Sequence, residues 1–189
     1  MAVGEPFCPS CKAVQPPGQA DHFQRLGLPR GFEIDTAALE KSYFQMQRLL
    51  HPDRFATRTP KEKTLSQQQA TSLNDAYETL KDPLARAAYL ANLMGRDVLK
   101  EDGNGPVDPM ILMEAMEMRE ALAEAETAED VATVTKRAQG EIADCESELS
   151  DAFAADDLDQ AAALITRLKY LRKLADDTRA RRAELRGRG

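Results

Sequence analysis

The stretch RLLHPDRFATRTPKEK, residues 48–63, ends one amphipathic run of good helix formers at His51-Pro52-Asp53 and begins a second about a turn later. Pro52 lacks an N–H and fixes φ, so it stops the first helix and leaves an imidazole and a carboxylate on a short exposed connection. Upstream, Asp35 is a helix N-cap and Ile34 is placed to staple onto Leu39. Leu39, Tyr43, Met46 and Leu50 then share one core-facing side. At about 100° per residue, Lys41 and Arg48 fall nearly opposite with Gln45 beside them, so the outer face is basic. Downstream, Thr59 and Glu62 have capping-box spacing and Pro60 suits the first helical position. Ser66, Gln69, Leu73, Tyr77 and Leu80 form that helix's inner stripe. The pattern predicts two antiparallel helices flanking the turn. A short helix from Asp21 to Leu26, stopped by Gly27 and Pro29, precedes them, and another follows Pro83.

Composition sets the class. With 189 residues, 42% of them apolar and 30% charged, the chain is long enough to bury a core in one domain or two small ones. Trp is absent, aromatics are 5%, and Ala, Glu, Leu, Arg and Gln dominate, which predicts an all-α fold. The formal charge of -7 repels nucleic acid, and basic residues are interspersed with acids except in the TRARRAELRGRG tail, so a nucleic-acid partner is disfavoured. No apolar run approaches the ~20 residues that span a bilayer, so no membrane partner is expected. MAVGEPF lacks both the charged start of a secretory signal and the Arg-rich start of a transit peptide. With only three cysteines, the expected location is cytoplasmic, with thiols or a metal in place of a disulfide scaffold.

Turn-forming residues divide the chain. Residues 1–20, with two cysteines and QPPGQ, read as an irregular arm, and 21–94 as a first helical block. Residues 95–109, GRDVLKEDGNGPVDP, read as a linker to a second block, 110–187. Asp108-Pro109, Thr127 with Asp130, and Asp157 mark three helix starts in that block, although Asp130 is shorter than the Glu a capping box prefers. The stripes are Ile111, Ala115, Met118, Leu122, Ala125, then Val131, Val134, Ala138, Ile142, Cys145, Leu149, Ala152, then Ala161, Leu164, Leu168, Leu171, Ala175. Three such stripes joined by short connections make a three-helix bundle. Cys145 lies within its stripe and reads as a buried structural thiol.

The residues left off the core carry the functional signal. With Ile111 at 0°, Leu112, Met113 and Met116 lie at about 100°, 200° and 140°, and Glu117, Glu120 and Glu124 at about 240°, 180° and 220°. Tyr170 points about 200° from Leu168 on the third helix. Apolar side chains sharing an outward face with acids fit a partner with a basic, partly apolar complement. The plainer alternative is packing against the linker or the first block.

HPDRF, set between a basic amphipathic helix and NDAYETLKDPLARAAYL, resembles a J-domain, the module that engages DnaK-class ATPase chaperones. The likeness runs through Phe23, Leu26-Gly27-Leu28, Phe32 to Asp35, Asn74-Asp75-Ala76-Tyr77, Leu80, Asp82-Pro83 and Arg86. It implies that His51, Pro52 and Asp53, with Lys41, Arg48 and Arg54 beside them, dock on such a chaperone. ILMEAMEMREALAEAE followed by AALITRLKYLRKL is similar to the C-terminal bundle of the HscB family, J-domain co-chaperones of iron-sulfur cluster assembly. That resemblance implies an IscU-type scaffold bound by Leu112, Met113, Met116, Glu117, Glu120, Glu124 and Tyr170, and an HscA-type chaperone whose ATPase is stimulated. No residue of this chain is expected to be catalytic. A general protein-folding J-protein serving unfolded clients is the alternative.

The FCPSCKAVQ segment has the C-x-x-C spacing of a zinc half-knuckle at Cys8 and Cys11, and some HscB relatives carry two such pairs. This sequence holds one, with His22 the sole imidazole nearby. A metal-free pair is expected, with a zinc shared between two chains as the alternative. Redox catalysis by the pair is disfavoured, because no βαβ pattern surrounds it.

Overall fold

The structure, a computed structural model, describes residues 6–98 and 108–187. Its elements are α1 (His22–Leu26), α2 (Thr36–Leu50), a 3-10 turn (Pro52–Phe55), α3 (Pro60–Lys81), α4 (Pro83–Leu93), α5 (Pro109–Glu124), α6 (Ala128–Ala154) and α7 (Leu158–Arg186). The fold is all-α, and among the described residues extended pairing is limited to one isolated bridge between Phe7 and Val14. Two compact units divide at Arg86 and Ala87, within α4. Most of the expected linker, 95–109, lies outside the described residues.

The caps read from the sequence set the helix starts. Asp35 accepts the N–H groups of Ala37 and Ala38 at 2.9 and 3.0 Å. Thr59 and Glu62 close a reciprocal box, and so do Thr127 and Asp130, where the shorter carboxylate still reaches the Thr127 N–H at 2.9 Å. Gly27 ends α1 at φ 65°, a conformation that costs any residue with a Cβ roughly 1–2 kcal/mol.

In the first unit α1 and α2 pack on α3 around Phe23, Leu26, Leu39, Leu50, Leu73 and Leu80. The ring of Tyr43 stacks on Tyr77 at 4.0 Å, but Tyr43, expected in the core stripe, is only half-buried, and its hydroxyl donates to Asn74 Oδ1 at 3.0 Å. The two polar members of the α3 stripe are buried for specific purposes. The Ser66 hydroxyl donates to the Leu50 carbonyl at 2.7 Å, satisfying an acceptor that the end of α2 leaves open. Gln69 donates to the Gln15 carbonyl at 2.8 Å and accepts from Arg25 Nη1 at 3.4 Å, while Arg25 Nη2 donates to the Pro17 carbonyl at 2.9 Å. These bonds tie residues 15–17 to the helices, and Val14 is buried. Ser66→Ala is expected to lower stability by about 1–3 kcal/mol by stranding the Leu50 carbonyl. Equilibrium denaturation checks this.

The second unit contains the expected bundle. On α6, Val131, Val134, Ala138, Cys145, Leu149 and Ala152 are buried; on α7, Ala161, Leu164, Leu168 and Leu171 are buried, joined by Ile165, Leu174 and Thr178. α5 joins this pair by a narrower strip, with Met118, Leu122 and Ala125 buried. Ile111 and Ala115, expected in the same stripe, are only half-buried, because at their level the contact between α5 and α7 is ionic. Burial pushes the Cys145 thiol up to about 11, the behaviour of a structural cysteine.

Candidate functional site

The His-Pro-Asp turn is held at both ends and open between them. Ser66 fixes the last carbonyl of α2, and Phe55 is buried at the other end. His51 takes ψ 129° as the cap of α2, and Pro52 opens the 3-10 turn. His51 Nδ1 accepts the Asp53 N–H at 3.3 Å and lies 3.5 Å from Asp53 Oδ2. Both contacts are made by Nδ1, which leaves Nε2 as the ring nitrogen that faces a partner. The Asp53 side chain is 91% exposed, so its carboxylate is open to a partner next to the His51 ring. Lys41 and Arg48 are exposed on α2, and Arg54 turns back to donate to the Arg48 carbonyl at 3.3 Å. Exposed Phe44 and Leu49 share this outer part of α2, two apolar groups that the purely basic reading missed.

The second surface is on α5. Leu112, Met113 and Met116 are 40%, 52% and 70% exposed, and Glu117, Glu120 and Glu124 are exposed with them. Met110, at the start of the same helix, is also exposed; its sequence signal was an apolar residue off the stripe, directly after the capping Asp108-Pro109. Tyr170 is half-buried, not free of the bundle. It lines a small, partly enclosed groove between α5 and α7 with Ile111, Glu114, Ala115 and Leu171.

Beneath this surface Arg167 of α7 donates to Glu114 of α5 through Nε and Nη2 at 2.8 and 2.7 Å, and through Nη2 to Glu141 of α6 at 2.5 Å. The Arg167 bonds hold the Glu114 carboxyl below its ordinary range against the opposing effect of burial, and Glu114 in turn raises the guanidinium.

Around Cys8 and Cys11 the backbone forms a tight hairpin. The Cys8 N–H donates to the Ala13 carbonyl at 2.8 Å, the Lys12 N–H to the Cys8 carbonyl at 2.9 Å, and Lys12 takes φ 59°. Backbone N–H groups of Cys11 and Ser10 on the Cys8 sulfur lower its pKa. The donor set is two thiols, and among the described residues no group of three His, Cys, Asp or Glu gathers to hold a metal. Half-buried His22 is on α1, its pKa lowered by burial first and Arg25 second. Two sulfurs do not fill a tetrahedral zinc site.

Residues 21–89 match the DnaJ domain, and residues 107–179 match the HSCB C-terminal oligomerisation domain. The human iron-sulfur cluster co-chaperone protein HscB is 37% identical over 183 residues, covering 95% of this chain and 76% of its own length. The chain belongs to the HscB family. A second HscB relative, the co-chaperone protein HscB homolog of Vibrio vulnificus, is 36% identical over 165 residues, 83% of this chain and 94% of its own. The crystal structure of human co-chaperone protein HscB aligns with a TM-score of 0.88 at 34% identity, covering 93% of this chain and 89% of that one. In HscB terms, the DnaJ match contains the His51 turn, and the C-terminal match contains the α5 surface and Tyr170. No described helix is long and apolar enough to cross a membrane.

Proposed function

We propose that this chain is a co-chaperone of iron-sulfur cluster assembly whose bundle holds an IscU-type scaffold while its J-domain docks on an HscA/DnaK-class chaperone. Docking accelerates that chaperone's ATP hydrolysis, and the chaperone then traps the scaffold for cluster release. The observation that carries this reading is the exposure of Leu112, Met113 and Met116 among three acids on one helix. Stability gains nothing from leaving such groups in water, whereas a basic and partly apolar partner surface covers both kinds. Its size and acidity also favour one defined client over the unfolded clients of a general folding J-protein.

In the docking turn, His51 Nε2 and the Asp53 carboxylate provide a rigid donor and acceptor beside the cations of α2, complementary to an acidic and polar chaperone surface. Hydrolysis itself takes place on the chaperone, so this chain is proposed not to be an enzyme. Its proposed location is a cytosol-like compartment. The test is the steady-state ATPase of the chaperone titrated with this protein, with scaffold and without. Synergy between the two supports the reading, and merely additive rates, or stimulation by any unfolded protein in place of the scaffold, would overturn it.

The Cys8–Cys11 pair is proposed to stand outside this function as a metal-free pair. Zinc content measured together with mass in solution is expected to give a metal-free chain. One zinc per two chains, in a dimer that separates on chelation, would establish the shared site, and one zinc held per monomer would refute both arrangements.

A further inference from the structure

α5 carries most of the proposed scaffold surface, and its N-terminal half has little apolar burial to hold it there. Met110, Leu112, Met113 and Met116 are exposed, Ile111 and Ala115 are half-buried, and the buried anchors Met118 and Leu122 come later in the helix. Apolar attraction is non-directional, and at this end of α5 few buried side chains interdigitate to set the register. What fixes the N-terminal half is directional. Arg167 engages both oxygens of Glu114 through Nε and Nη2, and Nη2 also donates to Glu141 of α6. Arg181 of α7 donates to the Ala125 carbonyl at 3.0 Å, at the opposite end of α5. Arg167 and Arg181 are separated by about four helical turns and so share one face of α7. Tyr170 follows Arg167 by three residues and lines the groove that Glu114 also lines.

We infer that Arg167 is a positioning residue for scaffold binding. By clamping Glu114 it sets the register and roll of α5 against α7, so that the Leu112, Met113 and Met116 face and the Tyr170 ring form one surface. The inference rests on the reading of that face as the scaffold site. A planar fork held by two carboxylates from different helices has one good geometry, the property a composite surface requires and the sparse apolar packing at this end of α5 lacks. Nearby Glu148 lies 3.9 Å from Arg167 Nη1 and adds to the field without a close bond.

The triple substitution Glu114→Leu, Glu141→Gln and Arg167→Met tests this, because exchanging all three members of a part-buried ionic cluster for uncharged groups of similar size leaves no carboxylate stranded and tends to preserve stability while removing the directional bonds. Thermal unfolding is expected to be little changed. The scaffold concentration that half-saturates the ATPase is expected to rise about tenfold, the scale of displacing one central anchor. Maximal stimulation at saturating scaffold, and stimulation without scaffold, are expected to stay as in the unaltered chain. Hydrogen exchange is expected to quicken in α5 and not in α6 or α7. If the triple variant does not fold, Arg167→Lys carries the same test, since it keeps the charge and loses the fork. Unchanged half-saturation in a folded variant would overturn the clamp, as would a rise accounted for by a matching loss of folded protein. Failure of the unaltered chain to bind the scaffold would instead overturn the functional reading.

Discussion

His51→Gln is expected to reduce stimulation of the chaperone ATPase to the unstimulated rate while helicity and scaffold binding stay as they were. The fold does not depend on the ring. The end of α2 is set by Pro52 and by the Ser66 bond to the Leu50 carbonyl, and the turn is anchored by buried Phe55. The His51 side chain is half exposed and accepts a hydrogen bond from the next-but-one backbone N–H, a contact within the turn itself. Gln retains a donor, but on a flexible chain that lacks the fixed relation between Nε2 and the Asp53 carboxylate, and docked geometry is what such a pair supplies. Steady-state ATPase rates, far-UV circular dichroism and scaffold pull-down measured on one preparation check all three outcomes. Normal stimulation by a folded variant would remove the docking role from the turn.

Leu112→Ala, Met116→Ala and Tyr170→Ala together are expected to weaken scaffold binding by several kcal/mol, because central apolar anchors cost ~1–3 kcal/mol each on truncation and do not add cleanly. On the affinity scale ~4 kcal/mol is about a thousandfold. The stability consequences are expected to divide. Leu112 and Met116 are 40% and 70% exposed, so their removal leaves the unfolding temperature nearly unchanged. Tyr170 is half-buried in the groove beside Ile111 and Leu171, so its removal lowers stability modestly. Calorimetric titration against the scaffold, with thermal melts of each single variant, separates the two effects. If the triple variant unfolds while binding per folded molecule is unchanged, these side chains serve the bundle and not a partner.

Much of the candidate site is legible in the sequence because it consists of residues that local rules leave over. A helical wheel assigns Leu112, Met113, Met116 and the three glutamates to the outside without any knowledge of the partner helices, and all six are exposed. His51, Pro52 and Asp53 stand out because they stop a helix between two capped ones. Tyr170 is read less well. The wheel places it off the core of its own helix, but it does not show that α5 lies close enough to half-bury the ring. Phe44 and Leu49 do not stand out in the sequence, because the same outer part of α2 is rich in cations and neither residue breaks the core stripe.

The sequence by itself determined the helices, their order, their caps and most of their buried stripes, since these depend on interactions spanning one or two turns, where spacing is a direct record of geometry. Only the tertiary structure decided how polar groups distant in sequence join the helices. Ser66 meets Leu50 across 16 residues, Gln69 meets Gln15 across 54, and Arg167 meets Glu114 across 53. Such bonds leave no period in the chain: many arginines and glutamates satisfy the same local pattern, and a pair is selected only when packing brings two elements within about 3 Å of hydrogen-bond reach. For the same reason the stripe marks Ile111 and Ala115 as core, while the fork at their level leaves them half-buried and leaves α5 as the helix whose outward face a directional clamp must hold in place.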